Sequence, residues 1–464
     1  MKKYFFLCIT IVSLLFTSCF EDQDDNSVAA STQEIQNFIY RGLNFFYLYK
    51  ADTPELADDA FANEAELNEF LSNYDSPESL FEYFRSPQDR FSFLESDYVS
   101  LENALNGITL NNGMEFGLIL YPDNSGNVFG YVRYILPNSS ASSTNLQRGD
   151  IFNTIDGQQI TETNFNDLLS QDTYTIGLAD YDGTNVTPTG ESVSLTKQQY
   201  TENPVYLART LTIEGQNVGY LMYNGYTRDF DPQLNAAFAQ FQADGITNLI
   251  LDLRYNGGGS VETAVDLSAM ITGQFNGQVF YTEEWNAERQ DEYADDGLFN
   301  TTISNGDPIN SLNLNSVYVI TSGSTASASE LTINSLDPYI TVNQIGTATA
   351  GKYQASFLLY DAPAPNFSRS QANPNHTYAM LPLVFKTANV NGNTDYDDGL
   401  FPDVELAEDY TNLGVLGNEN EPLLAAALNE IFPTRNKINR DFRVLKEVSE
   451  SKASSPVYQV MIGN

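Results

Sequence analysis

The spacing of apolar side chains changes along the chain, and each change marks a candidate domain boundary. From 33 to 104 they recur every three or four positions, so that Ile35, Phe38, Ile39, Leu43 and Phe46 share one helical face. DSPESLFEYF adds a start signal, with Asp75 or Ser76 as N-cap and Glu78 early in the helix. This predicts an N-terminal helical region with a packing role. From 105 to 200 the pattern becomes short strands and Gly/Asn turns. GMEFGLIL (113–120) and NVFGYVRYIL (127–136) alternate, bounded by NNG and DNSG. LQRGDIFNTIDGQQI (146–160) reads as a turn, a strand, a tight Asp156-Gly157 turn and a second strand, and NFNDLLS (164–170) as a short amphipathic helix. A small β-rich domain is expected. From 201 to 435 an α/β pattern takes over. NVGYLMYNGY (217–226) is strand-like and DPQLNAAFAQFQA (231–243) is a helix with Pro in its first turn. NLILDLR (248–254) and SVYVIT (316–321) are continuous apolar runs of the buried-strand type. Residues 436–464 read as a polar C-terminal tail.

Composition sharpens this picture. The 464 residues are 42% hydrophobic, enough for two or three domains with real cores. The 22 Lys and Arg against 61 Asp and Glu give a formal net charge of -39, which repels nucleic acid and anionic lipid headgroups. Residues 1–19 stand apart. Lys2 and Lys3 precede YFFLCITIVSLLF, too short to span a membrane comfortably but right for a secretory signal. The run ends at Thr17-Ser18-Cys19 and resembles a bacterial lipoprotein signal, whose cysteine becomes lipidated; ordinary cleavage near Ser18 is the alternative. The linker over 20–32 opens with FEDQDDNS and resembles the export tags of surface lipoproteins in the Bacteroidetes. These resemblances imply an outer-membrane lipoprotein of the cell envelope, periplasmic or surface-exposed, touching the membrane only through its lipid at Cys19.

Cysteine and histidine usage then eliminates chemistries. Cys8 leaves with the signal and Cys19 would be acylated, so no thiol remains for catalysis, disulfides or a Cys cluster, and no metal site is expected. A Ser-His-Asp triad has only His376 to draw on, in the loop QANPNHTY, where it is expected to face solvent.

Two nearly uncharged segments hold the remaining candidates. Residues 308–329 carry no acid or base, and 338–360 carry only Lys352. A solvated lysine titrates near 10.4, and tuning it to about 7–8 takes roughly 4 kcal/mol of desolvation with no carboxylate beside it. In VYVITSGSTASASELTINSL, Ser327 falls where strand turns into helix, near free backbone N–H groups and the positive end of the helix dipole. Ser327-Ala-Ser-Glu330 is also a capping box, which would only hold a helix end. Three glycines after LDLRYN let the backbone approach a ligand, so Gly257 or Gly258 with the amide of Ala328 is a candidate oxyanion hole. A flexible turn is the plainer reading of the same glycines.

Together these pieces resemble the carboxyl-terminal processing, or tail-specific, serine peptidases over roughly residues 35–435. The run Ala326-Ser327-Ala328-Ser329-Glu330, the pair Gly351-Lys352 located 25 positions after the serine, the stretch Leu251 to Gly259, and Gly399-Leu400-Phe401-Pro402-Asp403 carry the likeness. The resemblance implies Ser327 as nucleophile, Lys352 as base and a crotonase-like α/β core over 201–435, with no cofactor. Where many members carry a glutamine four residues after the lysine, this chain has Ser356, which could hydrogen-bond the lysine; Gln354 lies two residues after it. Residues 105–200 resemble the PDZ domain of secreted proteases, with LPNSSA…LQRGDIFNTIDG as the signature. That likeness implies that the loop and strand at Gly113, Phe116, Gly117 and Leu118 receive a peptide's terminal carboxylate and pair with it as an added strand.

The resulting expectation is an exported, lipid-anchored endopeptidase with a Ser-Lys dyad, acting on unstructured or C-terminal protein segments, with protein or peptide partners and no nucleic acid. The alternative is a non-catalytic surface protein holding peptides or an apolar ligand on the same scaffold. An acyl-CoA enzyme fails on export and on the scarcity of basic residues for phosphates.

Overall fold

The computed structural model describes residues 29–435 and 444–463. A six-stranded sheet runs in the order Val205–Ile213, Gln216–Tyr223, Asn248–Asp252, Ser316–Thr321, Thr341–Gly346, Val404–Glu405. The first two strands form an antiparallel hairpin closed by Glu214 and Gly215, both at positive φ, and every later neighbour is parallel. Parallel strands covered on both faces must be apolar throughout, and Leu249, Ile250 and Leu251 are all fully buried. Leu249 and Leu251 pack with Phe238, Leu267 and Leu331 from the helices Asp231–Ala243, Val261–Ile271 and Ala328–Leu336. Ile250 faces the other way, onto Leu424 and Leu428 of the helix Pro422–Ile431.

Helices Thr32–Phe46, Glu64–Leu71, Pro77–Phe84 and Tyr98–Leu105 precede the sheets. Phe38, Ile39 and Leu43 sink into the same core as Leu249, and Ser76, followed by Pro77, caps the third helix by accepting from the Ser79 amide. The strand Phe93–Glu95 then pairs with Ala379–Leu381, tying this region to the core.

The strands Met114–Leu120, Val128–Ile135, Ile151–Ile155, Thr173–Tyr181 and Val186–Thr196 form an antiparallel sheet with its own core of Phe116, Leu118, Val132, Phe152 and Leu168. Its outer strand corrects the sequence reading of a polar tail. Glu447–Glu450 pairs antiparallel with Met114–Leu120, and Met461–Ile462 lies parallel between Gly259–Ser260 and Gln354–Ser356 in a second six-stranded sheet. Val448 packs on the β-rich core while Val460 and Met461 are buried, so a few apolar side chains spaced among polar ones suffice to dock the segment. Among the described residues no helix is long and apolar enough to cross a membrane.

Candidate active site

Ser327 stands at the N-cap of Ala328–Leu336 with φ 61°, a conformation that costs a non-glycine residue about 1–3 kcal/mol and persists only where its surroundings impose it. Those surroundings are hydrogen bonds. The Ala326 amide donates to Asn256 O (3.1 Å), the Ser327 amide to Glu330 Oε2 (2.8 Å) and the Thr325 hydroxyl to Leu253 O (2.8 Å). The Ser327 hydroxyl is buried and donates to the Gln459 carbonyl oxygen at 3.0 Å.

Lys352 reaches the same oxygen, its Nζ donating at 2.7 Å. The preceding Gly351 has φ +81°, and a Cβ there would meet Asp397 O at 2.2 Å, which demands glycine. Burial pulls the lysine pKa down to about 7, and Arg90 pushes the same way against Asp89 and Glu330. Neither carboxylate is spent on the amine. Asp89 accepts from the Tyr47 hydroxyl and the Phe91 and Ser92 amides. Glu330 accepts from Thr349 Oγ1 (2.5 Å) and the amides of Gly351 (2.7 Å), Lys352 (2.9 Å) and Ser327 (2.8 Å). Its carboxylate therefore bolts the backbone of Ser327 to the backbone of Gly351 and Lys352. The sequence showed only the capping half of that role.

The glycine loop packs directly on the serine. Gly258 has φ +106°, and a Cβ there would sit 2.5 Å from Ser327 Cβ. Its amide, however, donates to Asn256 Oδ1 at 2.9 Å, so Gly258 is corrected as an oxyanion donor: the Asn side chain already holds it. The amides of Gly257 and of Ala328, the first helical residue, find no partner among the described residues and remain candidates.

Other expectations change. Neither Ser356 nor Gln354 bonds the lysine. Gln354 Nε2 donates to the Tyr49 hydroxyl at 3.0 Å, and the Ser356 carbonyl accepts from the Gly463 amide at 2.9 Å. The strand Gln354–Ser356 begins only after Lys352, so no strand alternation aligns these side chains with the lysine. His376 is not solvent-facing: its side chain is 6% exposed, with Nε2 at 3.0 Å from Asp361 Oδ2, and it takes no part with Ser327. At the supposed peptide edge the Gly113 amide donates to Asn111 Oδ1 (2.6 Å) and the Phe116 amide to Ser451 Oγ (3.3 Å), while Gly117 and Leu118 pair with Glu450 and Ser449. The chain's own segment fills that edge. Cys19 lies outside the described residues. The N-terminal region also does more than pack: Arg90 Nη2 donates to Gly351 O at 2.7 Å, and the Phe91 ring lies 4.7 Å from Lys352 Nζ. Nothing in the sequence links these residues to a lysine more than two hundred positions away.

Known proteins resemble this arrangement. Residues 217–360 match the model of peptidase family S41, and residues 34–93 match that of the peptidase S41 N-terminal domain. The first span contains the glycine loop, Ser327 and Lys352. This span is similar in sequence to the serine peptidases of family S41. A carboxyl-terminal-processing protease from Picosynechococcus is 24% identical over 247 residues, 52% of this chain and 52% of that protein. The chloroplastic C-terminal processing peptidase of Tetradesmus obliquus is 23% identical over 291 residues, covering 60% and 58%. The alignments thus span a little over half the length of these curated relatives. The crystal structure of an S41 protease from Bacteroides fragilis superposes with a TM-score of 0.68 at 27% identity, covering 86% of this chain and 98% of that one. The photosystem II D1 C-terminal processing protease shares the fold at a TM-score of 0.50 and 20% identity. Beside Gly257–Gly259 a cavity of about 1060 Å³ is lined among others by Met114, Tyr226 and Lys452.

Proposed function

We propose that the chain is an exported, lipid-anchored endopeptidase that cleaves unstructured or C-terminal protein segments with a Ser327–Lys352 dyad. In this reading the core is of the crotonase type and residues 105–200 act as a PDZ-like substrate tether. The observation that carries it is convergence: a buried serine hydroxyl and a buried lysine amine, the latter with its pKa near 7, reach one backbone carbonyl oxygen at 3.0 and 2.7 Å. Neutral Lys352 takes the proton as Ser327 Oγ bonds to the carbonyl carbon of a substrate peptide. The amides of Gly257 and Ala328 stabilise the oxyanion. The lysine then gives the proton to the leaving amine, which departs and leaves an ester on Ser327. Water, deprotonated by the same lysine, hydrolyses that ester and restores the hydroxyl.

The test is cleavage of an unfolded protein. Ser327→Ala should lose at least ~10⁴-fold in kcat/KM and Lys352→Ala ~10³-fold or more. Retained activity in either variant ends the proposal, and failure of a serine-reactive probe to label Ser327 points to a binding protein instead. The anchor has its own test: Cys19→Ser should move the protein from the membrane to the soluble fraction.

A further inference from the structure

Residues 447–463 enter both parts of the substrate path. Glu447–Glu450 occupies the outer edge of Met114–Leu120, and Met461–Ile462 is inserted between the glycine loop and the strand that follows Lys352. Between these anchors the segment presents the Gln459 carbonyl to the dyad. The Gly259 amide donates to Val460 O (2.8 Å) and the Gly463 amide to Ser356 O (2.9 Å). Side chains hold the upstream part. Buried Arg133 pairs with both Glu447 and Glu450, and Lys452 Nζ lies 2.9 Å from Glu202.

The pose is occupied but unproductive. Attack needs Oγ facing the carbonyl carbon, with the oxygen turned toward amide donors. Here Ser327 and Lys352 both donate to the oxygen itself, so the serine proton goes to the Gln459 carbonyl and not to the lysine. Gln459 sits at φ +53°, and Gly258, whose Cβ position would fall 2.6 Å from Val460 O, already gives its amide to Asn256.

We propose that residues 444–463 are a built-in competitive inhibitor, a pseudosubstrate that fills the strand edge and the dyad together and must leave before a substrate enters. This rests on the peptidase reading of the same site. A tethered segment competes at an effective concentration of order millimolar, so that only substrates able to replace both anchors, extended chains long enough to reach the strand edge and the dyad at once, displace it well.

Two variants loosen different anchors: Glu447→Lys with Glu450→Lys, opposite Arg133, and Val460→Asp with Met461→Asp, in the second sheet. With an unfolded protein substrate, each should lower KM at least tenfold while kcat stays within twofold of the full chain. A synthetic peptide of residues 444–463 added to either variant should restore the high KM competitively. Amide exchange in the full chain should show Met114–Leu120 protected and deprotected in the first variant, a readout that needs no activity. Equal KM in all three proteins, or mass spectrometry showing that the purified chain ends at Gln459, overturns the proposal. If no form cleaves but the labelled peptide still binds the Val460→Asp, Met461→Asp chain and exchange still marks the edge strand, the peptidase reading fails while the assignment of the segment to this site stands.

Discussion

Lys352 has its pKa lowered to about 7 by burial, and the Phe91 ring over its amine helps keep water away. A ring facing an ammonium also favours the charged form, but such a contact is worth about 1 kcal/mol, whereas a shift of this size corresponds to several at about 1.4 kcal/mol per unit. Desolvation wins. In the proposed mechanism Lys352 must be neutral, so kcat/KM should rise with pH along a limb centred near 7 and level off above it. Phe91→Ala, by admitting water, should move that limb upward by about one unit, costing several-fold activity at pH 7 and little at pH 9; a pH–rate profile reads this directly. The sign for stability follows from the same shift. The unfolded lysine binds its proton up to about 10.4, the folded one only up to about 7, so stability rises with pH between those values. Lys352→Met should therefore be inactive yet more stable at pH 7 by about 2–4 kcal/mol, seen as a higher melting temperature. A lone lysine in an uncharged stretch was visible in the sequence. Phe91, supplied by a distant segment, was not.

At the scale of elements, a strand end, a glycine loop and a helix start meet at one point, and the chain meets itself there without slack. Gly258 has no room for a methyl group against Ser327 Cβ and Val460 O, and its φ of +106° disfavours any side chain. Gly258→Ala should lower kcat/KM at least ~100-fold, since a misplacement of about 1 Å costs that much, with an intact fold by circular dichroism. Glu330 is the clamp between the helix and the Gly351-Lys352 segment. Glutamine keeps one acceptor oxygen but turns an NH₂ toward two donors. Glu330→Gln should lose about 2–4 kcal/mol in stability and more than tenfold in kcat, measured by thermal melting and initial rates. The S-x-x-E pattern gave the sequence its helix start correctly. That the same carboxylate also receives the Gly351 and Lys352 amides depends on two segments folding side by side.

At the scale of the molecule, buried charge joins the layers. Arg254, fully buried, pairs with Asp252 (2.7 Å), Glu421 (2.8 Å) and Glu408 (3.2 Å), and Arg148 of the β-rich domain also holds Glu408 (2.7 Å). Burial alone would raise the Glu408 pKa, yet Arg148 and Arg254 outweigh it and bring it to about 2. The stability this contributes is present above the usual carboxylate range near 4.3 and is lost as pH falls toward 2. Arg254→Met leaves buried carboxylates uncompensated and should cost about 3–5 kcal/mol, raising the pH at which the protein acid-unfolds. The sequence by itself determined the buried strands, the β-rich unit, the serine at a helix start and the glycines after the buried strand, because each is written in neighbouring residues obeying local periodicity and sterics. Only the tertiary structure decided what surrounds the lysine, which carboxylates are already occupied, and that residues 447–463 return to fill the site. Those are contacts between segments from 21 to 335 residues apart, where a few apolar side chains and paired charges decide docking without leaving a local pattern to read.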